Sequence, residues 1–402
     1  MRILVIDEEF PYPLDSGKRI RSFNLIRRLA ARAEVHYLAY GAAHSAAAEA
    51  CAAAGIHPLP VPGGLPPNSG PGFYARLAAN LLSPRPYIVA RHYSRRFQHA
   101  LDRTVAALRP DLVLCEWTPY AAFVEHLTSI PRVIVAHNLE QRIWRRYWEN
   151  EPRGPKRAYI GHQARKVADF EQHAFAGVEG AVAVSREEAE AIGAAHSALR
   201  VAVVENGVDL DFFRAQSCSV EAETLVFVGA MHWRPNQDAV AHFVTEVLPR
   251  LQQRHPNLRF DVVGQAPPPE IRRLDERPGV RILGRVDDVR PYVAAATACV
   301  VPLRIGGGTR LKILEALAMK KAVVATTIGA EGLELDEGEH ILRADTPTVM
   351  AEAITRVCGD PALRERLGRQ GRQRVEERYG WDALAAKLAT FLTQFANSPT
   401  YG

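Results

Sequence analysis

Ala298-Cys299-Val300-Val301-Pro302-Leu303-Arg304-Ile305-Gly306-Gly307-Gly308-Thr309-Arg310-Leu311-Lys312-Ile313-Leu314-Glu315 joins a short apolar run to a glycine triplet and then to a helical stretch ending at Met319. A run apolar on both faces suits a strand buried between helices, and glycines let the backbone turn at once into the next element. Backbone N–H groups in such a turn approach an anion closely, and the helix that follows points the positive end of its dipole at the same place. The stretch therefore predicts a strand–loop–helix unit cradling a pyrophosphate on Gly306, Gly307, Gly308 and Thr309. Arg304, Arg310 and Lys312 add cationic charge, with Lys312 the preferred phosphate contact. Glu315 stands in an otherwise apolar helix, where a carboxylate can accept two hydrogen bonds from a ribose diol. Plainer readings stand beside these: a tight strand-to-helix turn, and a carboxylate stabilised by its own helix dipole. Gly-x-Gly-x-x-Leu lacks the third glycine of the dinucleotide fingerprint.

Working outward, strand-like runs alternate with longer helical stretches: 3–7, 35–40, 112–115, 132–136, 180–184 and 201–204, then 225–228, 260–263, 280–283, 298–302, 322–325 and 340–343. The pattern restarts after the turn-prone Asn206-Gly207-Val208-Asp209. This alternation requires parallel sheets covered by helices, that is, two Rossmann-like, doubly wound α/β domains. The expected domains are 1–205 and 206–380, with a C-terminal helix 381–397 packing back on the first. Ligands lie beyond the carboxyl ends of strands in such sheets, so two domains facing across a cleft are expected to bind there. A hinge is expected around Asn206-Gly207 and the crossing near Trp381, and closure of the halves would exclude water. Residues 58–71, rich in Pro and Gly, are expected to form a mobile surface loop.

Composition narrows the partners. With 402 residues, 47% hydrophobic and 24% charged, the chain can bury two sizeable cores. A net charge of +5 is mild for this length and weaker than a dedicated nucleic-acid binder shows. The five cysteines, at 51, 115, 218, 299 and 358, are scattered and without CxxC spacing, which argues against a disulfide framework and a zinc site. An apolar strand beginning almost at Met1, and the lack of any run approaching the roughly 20 apolar residues of a membrane span, lead to an expected cytoplasmic location.

Several segments together resemble the family-4 retaining glycosyltransferases of GT-B fold: Val204-Glu205-Asn206-Gly207-Val208-Asp209, Phe227-Val228-Gly229, Val262-Val263-Gly264, Leu283-Gly284-Arg285-Val286-Asp287-Asp288, Leu314-Glu315-Ala316-Leu317-Ala318 and Glu331-Gly332. The resemblance covers nearly the whole chain. It implies transfer of a sugar from a nucleotide-diphosphate sugar to a glycan, lipid-linked or small-molecule acceptor, with retention of anomeric configuration and no metal or other cofactor. Gly229, Val286 and Glu315 fall at donor-binding positions. Such chains carry two glutamates eight positions apart, and the first position is Gly307 here, so this is a glycine-rich variant of the motif. After Gly229, Ala230 stands where many relatives have Arg, and Arg234 with Lys312 is expected to replace the lost charge.

In the N-terminal half, Ser16 and Gly17 fall on the family's first donor loop, though an ordinary helix start explains them equally; Tyr12 and Arg19 exclude a Walker A reading. His137 matches a histidine that contacts the donor sugar, and Glu116, Trp117 and Arg142 are expected at the acceptor. A packed loop pair and a structural histidine are the simpler alternatives. From Arg142 to Lys166 there are eight basic residues against two acidic ones, interleaved with Trp144, Tyr147, Trp148 and Tyr159. Such a run suits peripheral contact with an anionic membrane or a lipid-diphosphate acceptor, or is simply a solvated helix face. No nucleophile–base pair stands out, so His137, Lys312 and Glu315 are expected to act by positioning and by stabilising the leaving group. The rival readings are a GT-B-fold sugar-nucleotide epimerase and a non-catalytic nucleotide-sugar-binding module.

Overall fold

The computed structural model describes residues 1–216, 220–305 and 311–396. The chain divides into two compact units: Met1–Glu205 together with the chain from Asp382 onward (unit 1), and Asn206–Trp381 (unit 2). Unit 1 holds β1 (Arg2–Glu9), β2 (Glu34–Tyr40), β3 (His57–Val61), β4 (Leu112–Cys115), β5 (Arg132–Ala136), β6 (Gly180–Ala183) and β7 (Arg200–Val203). They form one parallel sheet in the order β3-β2-β1-β4-β5-β6-β7. Unit 2 holds β8 (Thr224–Val228), β9 (Arg259–Val263), β10 (Val280–Gly284), β11 (Ala298–Val301), β12 (Val323–Ala325) and β13 (Leu342–Arg343), parallel in the order β10-β9-β8-β11-β12-β13.

Winding reverses once in each sheet, between β1 and β4 and between β8 and β11, and such switch points are where a crevice opens at the carboxyl ends of the strands. The central strands are buried on both faces, which is why they read as unbroken apolar runs: Ile3, Leu4, Val5 and Ile6 are each 0% exposed. In unit 2 the core continues into the flanking helices, with the rings of Phe243 and Phe260 4.3 Å apart.

The sequence reading placed 58–71 in a loop, whereas its first residues belong to β3, His57-Pro58-Leu59-Pro60-Val61. Two prolines argue against a central strand but not against this one. β3 lies at the sheet edge, paired with β2 alone, and Pro58 and Pro60 have the same parity, so both missing N–H groups face the open side.

The helix Trp381–Ala396 buries Leu384, Leu388, Phe391, Leu392 and Phe395, a stripe of helical period. Within unit 1 it is tied at both ends. Asp382 pairs with Arg28 at 2.7 Å, and Phe395 fills the space at Gly180, where a Cβ would lie 2.5 Å from the ring. Among the described residues no helix is long and apolar enough to cross a membrane.

Candidate functional site

Unit 2 gathers its polar groups at the β8/β11 switch point. Gly229 follows β8, and its carbonyl runs so close to Gly264, which follows β9, that a Cβ on Gly264 would sit 1.8 Å from it. Two strand ends can meet in this way only because Gly264 has no side chain. Gly229 is crowded by side-chain ends instead, since a Cβ there would lie 2.6 Å from Lys312 Nζ and 2.8 Å from Asn236 Nδ2. Lys312, from the helix Leu311–Ala318, donates to Asn236 Oδ1 at 2.8 Å and stands 4.1 Å from the centre of the Phe227 ring. The ring face and the amide oxygen hold the ammonium in place. Asn236 is itself fixed, donating to the Ala230 carbonyl at 2.8 Å from the first turn of the helix Arg234–His242.

Glu315 follows Lys312 by one helical turn. Burial pushes its carboxyl up to about 7, with the Lys312 charge pulling the other way. No hydrogen bond to its carboxyl is found among the described residues, and it shares one helix with the Lys312 cation. The carboxyl end of their helix is capped by Arg372, which donates to the Ala318 carbonyl at 2.6 Å and to that of Phe213 at 3.0 Å.

Of the other residues expected in this half, Gly306, Gly307, Gly308, Thr309 and Arg310 lie outside the described residues. Arg234 opens its helix on the exposed surface, and Val286, past β10, packs partly buried against the core. Arg304 makes a bidentate pair with Asp238, at 2.6 and 3.1 Å. The sequence reading passed over Asn236 and Phe227 as partners of Lys312. A polar residue in the first turn after the Gly229 loop was the available signal for Asn236.

Unit 1 builds a second polar centre at its own switch point. His137, just past β5, donates through Nε2 to the Glu116 carbonyl at 2.7 Å. A carbonyl can only accept, so Nε2 carries a proton and Nδ1 is left for another group. The Glu116 side chain is buried and accepts from Ser22 Oγ at 2.7 Å. Burial alone would raise its pKa, but His137, Ser22 and the Arg21 charge together hold it below the usual range. Trp117 donates to Glu140 at 2.9 Å, and its ring lies 5.0 Å from Lys18 Nζ. Ser16 caps the helix Gly17–Ala30, its Oγ accepting from the Arg19 N–H at 3.4 Å. Arg142 is drawn to Glu187 at 2.7 Å, next to a different helix, and is not part of the Glu116–His137 group.

A buried ion network underlies this centre. Lys18 Nζ lies 2.6 Å from Asp7 and 2.9 Å from Glu8, both at the end of β1, and His92 Nε2 lies 3.1 Å from the other Glu8 oxygen. Tyr37 donates to the second Asp7 oxygen at 2.8 Å. Burial lowers the lysine's affinity for its proton, but the two carboxylates outweigh it and keep Lys18 charged. The network pins the start of the helix to the sheet and so fixes the loop 10–17 between them. One acidic and histidine group, Asp336, Glu339 and His340, gathers elsewhere in unit 2, where Asp336 is already paired with Arg374 at 2.6 Å.

Glycosyltransferases are among the known proteins that resemble this chain. The chain matches the family model described as Glycosyltransferase Family 4 over residues 20–212 and that described as Glycosyl transferases group 1 over residues 222–360. It is similar to an alpha-maltose-1-phosphate synthase of Mycobacterium tuberculosis, 28% identical over 359 residues, covering 75% of this chain and 86% of the relative. A GDP-mannose-dependent alpha-(1-6)-phosphatidylinositol monomannoside mannosyltransferase of the same organism is 28% identical over 211 residues, 46% of this chain and 54% of the relative. Among solved structures, sucrose-phosphate synthase from Thermosynechococcus elongatus superposes with a TM-score of 0.70 at 18% identity, covering 99% of this chain and 100% of that one. HepE of Anabaena, in complex with UDP-glucose, superposes with a TM-score of 0.68 at 14% identity, covering 98% and 100%.

Proposed function

We propose that this chain, a glycosyltransferase of GT-B fold, binds a nucleotide-diphosphate sugar on unit 2 and transfers its sugar, with retention, to a hydroxyl acceptor of glycan or glycoconjugate type bound on unit 1. The observation that carries the donor assignment is Lys312, held by Asn236 and Phe227 with its ammonium in the space left by the missing side chain of Gly229. A fixed ammonium at the start of a helix suits a diphosphate, and Glu315 one turn on suits the ribose diol.

In this reading the C1–O bond to the diphosphate breaks with the electron pair staying on the phosphate oxygen. Lys312 stabilises the negative charge that grows there. The acceptor oxygen bonds to C1 on the face the diphosphate leaves, and its proton passes to the departing diphosphate. His137 contacts a hydroxyl of the transferred sugar in this reading. Ser16 and Gly17 line the donor loop, and Glu116 with Trp117 shapes the acceptor surface. Because Lys312 performs the charge neutralisation, no metal cofactor is assigned, and turnover is expected to persist in EDTA.

A thermal-shift panel of nucleotide sugars tests the reading, beginning with UDP-glucose and GDP-mannose, which the names of the similar proteins suggest. One donor should raise the unfolding midpoint, and Lys312→Ala should abolish that rise without changing the midpoint of the free protein. If no nucleotide sugar shifts the midpoint, or if Lys312→Ala responds as the parent does, the donor assignment is wrong. The anomeric configuration of the product, read by proton coupling, tests retention.

A further inference from the structure

The helix Pro71–Asn80 buries only Asn80 of its 10 residues. Beyond it the chain exposes Leu82 at 94% and Leu81 at 45%, with Tyr74 exposed at 68% on the helix itself. Single exposed apolar residues are ordinary, but three on one short segment are not. The tip is also held firmly. Lys166 and Gln163, buried on the helix Pro155–Ala176, donate to the Asn80 carbonyl at 2.7 Å and to its side-chain oxygen at 2.9 Å, while Asn80 Nδ2 donates to Arg85 O at 3.0 Å. Gln163 also accepts from the Tyr87 N–H at 2.8 Å. These bonds satisfy polar groups of the turn from the inside and leave Leu81 and Leu82 on the outside.

Charge around the tip is one-sided. No acidic residue occurs from Ala50 to Leu101, or from Pro152 to Ala168, the two stretches these bonds join. Arg95, Arg153 and Arg165 are exposed within them. By contrast, the basic run 142–166, for which membrane contact and a solvated helix face are the two readings, pairs much of its charge internally. Arg142 pairs with Glu187, Arg145 with Glu149 and Lys156 with Glu151, while Lys166 is buried under the turn.

We propose that the segment from Tyr74 to Arg85 docks on an anionic lipid surface, with Leu81, Leu82 and Tyr74 entering the boundary between headgroups and acyl chains. An apolar tip flanked by acid-free, arginine-bearing stretches of sequence is complementary to such a bilayer: the leucines supply burial and the arginines meet lipid phosphates. The rigid turn lowers the entropic cost of insertion.

The test is co-sedimentation of the full chain with vesicles of phosphatidylcholine alone and of phosphatidylcholine mixed with phosphatidylglycerol. The parent should bind the anionic vesicles more strongly and lose binding as salt rises. Leu82→Asp should weaken partitioning roughly tenfold or more, because it removes one buried leucine and adds a charge of the wrong sign. Its unfolding midpoint and its response to the nucleotide sugar should match the parent, which separates failure of docking from failure of the donor site. Absence of binding to anionic vesicles, or equal binding by Leu82→Asp, would overturn the proposal. So would light scattering showing a dimer that this substitution makes monomeric, since the face would then join two copies of the chain.

Discussion

Glu315 is a titrating group in a desolvated position, and its ionisation state decides what it can accept. A ribose diol donates hydrogen bonds, so it favours the carboxylate, whereas burial favours the neutral acid up to about 7. Donor affinity is therefore expected to rise between about pH 6 and pH 8, with one proton released on binding below the midpoint. A nucleotide sugar has both phosphates esterified and does not itself titrate in this range. Calorimetry in buffers of different ionisation enthalpy measures the proton, and Glu315→Gln should remove both the release and the pH dependence. The same raised pKa makes a stability statement: the folded state binds this proton more tightly than the unfolded one, whose carboxyl titrates near 4.5. Glu315 therefore stabilises least at high pH, and stability falls as pH climbs from about 4.5 to about 7. Gly229→Ala is expected to push Lys312 aside, because the new methyl would lie 2.6 Å from Nζ; titration calorimetry should show donor affinity lowered by roughly tenfold in a folded protein. Lys312 and Glu315 could be singled out as candidates in the sequence because they stand in a local motif. Lys18, Asp7 and Glu8 were not read as a group, because their meeting depends on how a helix returns to the end of β1. Arg142 was read from its charge alone, and its pairing with Glu187 joins residues 45 apart in sequence.

Elements are positioned here by buried polar contacts as much as by apolar packing. The helix Gly17–Ala30 is locked to β1 through Lys18, whose removal would leave Asp7, 1% exposed, without its ion partner. Lys18→Met is expected to cost about 3 kcal/mol of stability at neutral pH. The cost should shrink on acidification, because burial already raises the Asp7 pKa and protonation relieves the stranded charge. Urea unfolding at two pH values checks this, and equal losses at both would exclude the mechanism. Most strands were legible as apolar runs bounded by turn residues, since burial on both faces leaves an unambiguous pattern. β3 was not, because proline content reads as a turn unless the strand is known to lie at an edge, and edge position belongs to the sheet rather than to the segment.

At the scale of the molecule the two units have separate cores, and the last helix belongs to the first of them. Gly180→Val places a side chain where Phe395 now lies and should lower the stability of unit 1 by about 2 kcal/mol. Unit 2 should be unaffected, so the response to a nucleotide sugar should survive. Scanning calorimetry with and without donor separates the two effects. The two-unit architecture was readable from the restart of the strand–helix alternation, whereas the exact ties of the final helix to Arg28 and Gly180 needed the tertiary structure.

That last helix also imposes an order of assembly. Unit 2 is continuous in the chain, from Asn206 to Trp381, whereas unit 1 draws on both chain ends. During synthesis the first 205 residues leave the ribosome long before the helix that covers β6, so the nascent sheet waits with apolar surface open while a whole second domain is translated. Unit 2 is then the first part of the chain able to complete its native contacts, and the domain made first is the one finished last.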